Sequence, residues 1–517
     1  FDDQKGLEIV PRVANVDALP VRSLGYNADG TSPVLESFDL DMDLETLTLS
    51  FSETVSRDSL NVEQITLQSS SAITSGTVDA FALTSVSTTV SFDGPVIVIN
   101  LGETDVDEIT RLNLLATSES STFLSVTVDA FTDTALVANK VVGVGSDAAM
   151  PVNVGGYTAD ITAPELESFD LDLTNEWLVL KFSETVKVDN FNEKQIWFQN
   201  AEVGPVAFKH NIDSVEVLNA AEDGVSPARK DQTWVKVKVS TADLNIIKKM
   251  EELAVTQDST WIYFSDAMIT DMAGNQVVAI EETSAQRVDT FVEDGVRPTL
   301  VRFDLSMDGE GTLTMTFDET MDTSSMLPTQ ITFQDDAVSP TTSYTLTSGV
   351  FSSGRADDST VLVLTLDKVD RDFLTKDTDL AISESTTCIT ITDTSALDMN
   401  ANPAVGTTMM VAVGGYTEDS TFPTLVDFAV DMDEAHITLT FSEPMQILSF
   451  AFDGPITVHT LDPLQSFALT RSNADHFGTS YDTTITEISP TVYIVNVNHA
   501  DMNFIKNKVK NKIGDET

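Results

Sequence analysis

The sequence predicts an all-β protein, a row of tandem β-sandwich domains each carrying one short helix. Three observations carry that expectation: a proline-led sentence repeated four times at domain-length intervals, strict apolar/polar alternation within each copy, and a segment of helical periodicity at the same place in each. The copies read SPVLESFDLDMDLETLTLSFSETV from Ser32, APELESFDLDLTNEWLVLKFSETV from Ala163, RPTLVRFDLSMDGEGTLTMTFDETM from Arg297 and FPTLVDFAVDMDEAHITLTFSEPM from Phe422. Within them Phe-[Ser/Asp]-Glu recurs at Phe51, Phe182, Phe317 and Phe441, spaced by 131, 135 and 124 residues. Units this long bury their own cores, unlike the roughly 20 to 50 residue units of solenoids.

The first strand of a unit shows in Phe38, Leu40 and Met42 alternating with Asp39, Asp41 and Asp43. The second shows in Leu47, Leu49 and Phe51 against Thr48, Ser50 and Ser52, with the same parity at Leu178/Leu180/Phe182, Leu313/Met315/Phe317 and Ile437/Leu439/Phe441. A period of two is that of a half-buried strand, so the aspartates form an acidic outward face. Later strands, rich in Val, Ile and Thr, are expected at Ile65–Gln68 and at 96–101, 233–239, 361–366 and 492–497. Helices are expected in the segments beginning at Thr104, Thr241, Asp367 and His499, where Ile246, Met250 and Leu253, or Met502, Ile505 and Val509, fall at helical spacing. Residues from Phe1 align with the repeat tail that starts at Phe131, and the fourth copy stops just after its helix. The expectation is a piece of a longer array, cut in mid-module at both ends.

The formal net charge of −54, from 82 acidic against 28 basic side chains, repels nucleic acid and anionic membranes and favours cations. A hydrophobic fraction of 41% is that of a globular chain, which makes the acidity a solvated surface. Cys388, in the run TTCITI, reads as a buried small hydrophobe, so no disulfide holds the modules. No long apolar run offers a membrane segment. No Asn-x-[Ser/Thr] sequon occurs, while the many Ser and Thr side chains leave O-glycans open.

Catalytic signatures are missing. His210, His436, His459, His476 and His499 show no metal-ligand spacing and none recurs between copies, and there is no HExxH, GxSxG or phosphate-cradling glycine loop. The expectation is a protein that is not an enzyme. Carboxylates do recur, at the joins. An aspartate stands four residues before each leading proline (Asp29, Asp160, Asp294, Asp419), and a glutamate follows each proline by 20 or 21 residues (Glu53, Glu184, Glu319, Glu443) at the end of a core strand. Ca²⁺ takes six to eight oxygens at about 2.3 to 2.6 Å, and these pairs with a turn such as Asp271-Met-Ala-Gly-Asn275 supply several. The alternative is purely structural: the glutamates accept linker N–H groups and the aspartates make Asx turns. The DLDMD run is not an EF-hand loop, because no glycine follows Asp43 and Ser50 stands at its twelfth position. An aromatic precedes each linker aspartate by three residues (Tyr26, Tyr157, Phe291, Tyr416). It is read either as inter-domain packing that stiffens the join or as an intradomain ring closing the core, in the manner of a tyrosine corner.

The proline-led start, the strand ITLTFSEPM at 437–445 and the turn DMAGN at 271–275 resemble the bacterial Ig-like repeats of the SbsA type in large surface proteins. The helix-interrupted unit is still more similar to the tandem repeats of giant cell-surface proteins of heterokont algae and oomycetes. The resemblance implies Ig-like repeats at 33–163, 164–297, 298–422 and 423–517, the last truncated, with 1–32 the tail of a preceding repeat. It implies an extracellular or cell-surface structural protein that self-associates into a filament, as a flagellar hair or cell-wall fibre does, or that partners other surface proteins. The alternative it leaves is a calcium-stiffened adhesin stalk whose binding domain lies outside this segment.

Overall fold

The computed structural model describes residues 25–73, 78–204, 206–219, 231–250, 252–351, 358–412, 414–446, 457–461, 464–469, 472–474 and 480–513. The repeat tail expected at 1–32 lies, up to residue 24, outside the described residues. The described chain forms two compact units. One runs to Leu171 and adds Trp177–Ser240 and Gln257–Phe291; the other takes Asp172–Glu176, Thr241–Thr256 and the described residues from Val292 onward.

The first unit opens with a complete Ig-like β-sandwich. Its strands are β1 (Leu35–Asp41), β2 (Thr46–Val55), β3 (Ile65–Gln68), β4 (Ala80–Ala82), β5 (Thr88–Thr89), β6 (Gly94–Asn100), β7 (Phe123–Val126), β8 (Met150–Pro151) and β9 (Tyr157–Thr158). One sheet has the order β5-β6-β2-β1-β9 and the other β4-β3-β7-β8. The two share a single apolar core in which Phe38, Leu40, Leu47 and Leu49 of the first sheet meet Ile65, Leu67 and Leu124 of the second, all fully buried. The alternation read from the sequence is thus realised on one inward face. The β1–β2 turn closes with Glu45 in the left-handed region at φ 54°, and Asp41 Oδ1 accepts the N–H groups of Asp43 and Leu44. The strand that leaves the sandwich, β9, pairs parallel with β1, Leu40 opposite Tyr157, and so anchors the exit of one module to its entry strand.

The middle residue of each Phe-[Ser/Asp]-Glu motif clamps the chain just after the proline. Ser52 Oγ accepts Val34 N–H while Ser52 N–H donates to Val34 O. The same exchange joins Ser183 to Glu165, Asp318 to Thr299 and Ser442 to Thr424. A residue read only as outward-facing therefore fixes where each module begins.

A second sandwich follows in the same unit, Phe169 of one sheet meeting Phe198 of the other edge-on at 6.4 Å between ring centroids. The second unit holds a third sandwich, in which Phe303, Leu313 and Met315 share a core with Ile331, Phe333 and Ile389. Cys388 is fully buried there as a free thiol. Among its described residues the fourth repeat has one four-stranded sheet of Leu425–Asp431, His436–Phe441, Val492–Asn496 and Thr484–Ser489, two two-stranded pairs, Thr457–Leu461 with Leu464–Ala468 and Ser472–Ala474 with Ser480–Asp482, and a helix. Phe428 is 57% exposed where its counterpart Phe303 is 0%.

The four α-helices among the described residues are α1 (Glu103–Arg111), α2 (Thr241–Lys249), α3 (Lys368–Lys376) and α4 (His499–Ile513). α1 stops a turn before the apolar spacing suggested: Leu112 and Leu115 enter the core from tight turns, their N–H groups bonding three residues back. An aspartate in the first turn of the helix is a pin. Asp105, fully buried, accepts Thr84 N–H and the hydroxyls of Thr84 and Ser87 at 2.6–2.9 Å, and Asp370 does the same for Thr347 and Tyr344.

Candidate metal centres at the module joins

Each linker aspartate turns the chain that follows it. Oδ1 of Asp29, Asp160, Asp294 and Asp419 accepts the N–H of Thr31, Thr162, Val296 and Thr421, two residues on, at 2.9–3.1 Å, which is an Asx turn. The same side chains meet the strand-end glutamates. Asp29 with Glu53, Asp160 with Glu184 and Asp294 with Glu319 each stand beside a third aspartate, Asp133, Asp271 and Asp398 respectively. In each trio one oxygen per residue lies within 4.8 Å of the others. Asp419 and Glu443 share a side-chain hydrogen bond, and among the described residues no third aspartate joins them.

The third aspartate is oriented by its own loop. Asp271 Oδ1 accepts the N–H groups of Gly274 and Asn275, and its Oδ2 accepts Asn275 Nδ2 at 2.7 Å. Asn275 Nδ2 also donates to Asp160 O at 3.3 Å, so the loop holds both the third carboxylate and the linker backbone. Asn402 repeats this between Asp398 and Asp294 O, and Asn139 between Asp133 and Asp29 O. Asp133, Asp398, Asn139 and Asn402 were not picked out by the sequence reading. DMNAN at 398–402 was findable by its match to DMAGN at 271–275; the longer Asp133–Asn139 spacing hides the first.

The join at Asp160 is the richest in carboxylates. Asp107 of α1 accepts the Thr185 hydroxyl at 3.1 Å, next in sequence to Glu184, and Asp43 Oδ1 accepts Ile161 N–H and the Thr162 hydroxyl. Burial, followed by the charges of Asp160 and Asp271, pushes Glu184 up to about 8. Burial likewise raises Asp160, and it pushes Asp107 up to about 6. The cause is burial away from water, to which the neighbouring carboxylates add. Beside them lies a cleft of about 230 Å³ lined by Met42, Thr110, Tyr157, Asp160, Glu184 and Thr185 among others.

The trio at Asp294, wholly within the second unit, is filled from the protein itself. Lys248 Nζ of α2 stands 2.7 Å from Asp294 Oδ2 and 2.8 Å from Glu319 Oε2, and all three side chains are less than a tenth exposed. Burial pulls the Lys248 ammonium down, but its bonds to Asp294 and Glu319 outweigh this and leave it raised, hence charged. Burial still pushes Glu319 up to about 7. No sequence signal marked Lys248, which is one lysine on an amphipathic helix.

The acidic-face reading of the DLDMD run is corrected. Asp39 accepts Asn153 Nδ2 at 2.7 Å, Asp41 caps the turn, and Asp43 grips the outgoing linker, as Asp308 grips Ser420 and Thr421. A short carboxylate beside a turn finds backbone donors more readily than it stays solvated. The inter-domain packing role is likewise corrected for two aromatics. Tyr157 packs on the core of its own module and donates to Ala116 O at 2.5 Å; Tyr416 does so on the third core, donating to Ala381 O at 2.7 Å. A buried phenol needs an acceptor, and the carbonyl just past the helix supplies it. Phe291 sits half-buried in strand Thr290–Val292, and Tyr26 is 61% exposed.

No family model and no curated protein matches the chain. Among solved structures, the S-layer protein SbsC is similar at 11% identity and TM-score 0.15, over 91% of this chain and 63% of that one. The plexin A4 full extracellular region is similar at 10% identity and TM-score 0.14, over 96% of this chain and 32% of that one. The eight N-terminal Ig domains of Down syndrome cell adhesion molecule give 9% identity and TM-score 0.13, over 92% and 66%. The chain thus spans about a third of the plexin structure and just under two thirds of the S-layer one. At such scores none of them superimposes on the chain as a whole, and the functional reading rests on the chain's own geometry.

Proposed function

We propose that this chain is a structural repeat segment of a large extracellular filament or cell-surface fibre, held together by inter-domain and lateral contacts. The observation that carries the reading is recurrence: the clamp of linker aspartate, strand-end glutamate, loop aspartate and loop asparagine is rebuilt at Asp29, Asp160 and Asp294. A catalyst concentrates unusual chemistry in one pocket; here the unusual chemistry is spread over the joins, where it sets how one module follows another. Exposed apolar side chains on the first module, Val90 at 78% and Phe92 at 86%, support lateral packing. Sedimentation over the micromolar range, followed by electron microscopy, tests this reading. Filaments growing with concentration support it, and a monomer throughout sinks it.

The trio Asp160, Glu184 and Asp271 favours a second reading, a calcium-stiffened stalk for an adhesin. Oxygens within 4.8 Å of one another match about twice the 2.3 to 2.6 Å Ca–O distance, as oxygens surrounding one ion require. Calcium there would offset the burial and the neighbouring charges that raise Glu184 and would tie linker, strand end and loop together. Thermal unfolding of the chain in millimolar calcium against EDTA checks this. An upward shift that Glu184→Gln removes supports it; identical curves refute it.

A further inference from the structure

We propose that Lys248 is a resident cation: its ammonium occupies, at the Asp294 join, the place that a divalent ion takes at the Asp160 join. This rests on the calcium reading of the Asp160 trio for its comparison, but its own evidence is separate. The helices align by their buried first-turn aspartates, Asp105 and Asp243, which are 0% and 2% exposed. The alignment is confirmed two residues further on. Asp107 takes the Thr185 hydroxyl, and at the matching position Asn245 Oδ1 accepts Thr320 N–H at 3.0 Å while Asn245 O accepts the Thr320 hydroxyl.

In this register Lys248 corresponds to Thr110. Thr110 lines the cleft of about 230 Å³ that also exposes Asp160 and Glu184. Where the helix carries threonine, two of the three carboxylates, Asp160 and Glu184, line a space; where it carries lysine, an ammonium sits 2.7 and 2.8 Å from two of the three carboxylates. The seated ammonium is the observation independent of the acidic residues themselves, for it shows this constellation holding a cation within the same chain. The chemistry fits both occupants. Three carboxylates with loop-fixed aspartates present hard oxygens to Ca²⁺, and an –NH₃⁺ group presents three donors to the same oxygens. Asn245 in place of Asp107 removes one further negative charge at the lysine join, as a monovalent occupant requires. The array therefore mixes joins that respond to calcium with one that does not.

The test is a reciprocal exchange in the full chain, read by calorimetric titration with calcium chloride, with near-ultraviolet circular dichroism to confirm folding. Lys248→Thr is expected to bind one more calcium per chain than the natural sequence, and Thr110→Lys one fewer. A folded Lys248→Thr chain with unchanged stoichiometry overturns the proposal, as does Thr110→Lys binding the natural number where that number is at least one. Should the natural chain bind no calcium while Lys248→Thr binds one, the resident-cation assignment stands and the calcium reading of the Asp160 join falls. Should Lys248→Thr fail to fold, Thr110→Lys decides alone.

Discussion

Lys248 Nζ lies 2.8 Å from Glu319 Oε2, two residues 71 positions apart in the sequence brought together with both side chains only 8% exposed. Removing one partner leaves charge buried without compensation, which costs about 3 to 5 kcal/mol. Lys248→Met in calcium-free buffer is therefore expected to lower the unfolding free energy of the second unit, read from urea unfolding, by that amount. Unfolding curves for Lys248→Met that match the natural chain would deny the ion pair its role.

The join at Glu184 sets a pH dependence for the metal-free chain. Its carboxyl is raised from 4.5 to about 8 in the folded state. An acid so raised contributes stability that is complete below the unfolded value near 4.5 and is lost as pH climbs through about 8. In EDTA the first unit should thus weaken between those values. Glu184→Gln should flatten that slope, which thermal scans across the range would read.

Asn402 is expected to matter through two bonds, to Asp398 Oδ2 at 2.9 Å and to Asp294 O at 3.0 Å. Asn402→Ala leaves buried oxygens short of a donor and should cost about 1 to 3 kcal/mol. Asn400 meets Asp398 through its backbone N–H, which alanine keeps, so Asn400→Ala should stay within about 0.5 kcal/mol. Urea unfolding of the two variants separates these outcomes.

Equivalent phenylalanines in different repeats should behave differently. Phe38 is fully buried between two sheets, and Phe38→Ala is expected to cost about 3 to 5 kcal/mol. Phe428, 57% exposed, should lose no more than about 0.5 kcal/mol on the same change. Differential scanning calorimetry would show one transition displaced and the other unmoved.

Much of the fold was written in periodicity. Alternation at Leu47, Leu49 and Phe51 needs only that one face of a strand be dry, and that local rule located the strands, their inward faces and the helices between them. Parts of the candidate site were equally visible, since a linker aspartate and a strand-end glutamate repeated at constant spacing stand out from a chain of 517 residues. What the spacing hid was use. Asp43, Asp308 and Ser52 looked like solvent-facing residues of a strand, yet each spends its oxygen on a backbone N–H of the linker. A hydrogen bond across a hundred residues leaves no period in the sequence.

By itself, then, the amino-acid order determined that the modules are β-sandwiches with one short helix each, because hydrophobic burial acts on patterns of neighbours along the chain. Tertiary structure alone decided what occupies each join. Whether two carboxylates of a trio line a cleft, as Asp160 and Glu184 do, or meet a lysine ammonium, as Asp294 and Glu319 do, depends on which side chain α1 or α2 delivers there. Charge interactions depend on distance and burial, neither of which a sequence spacing records.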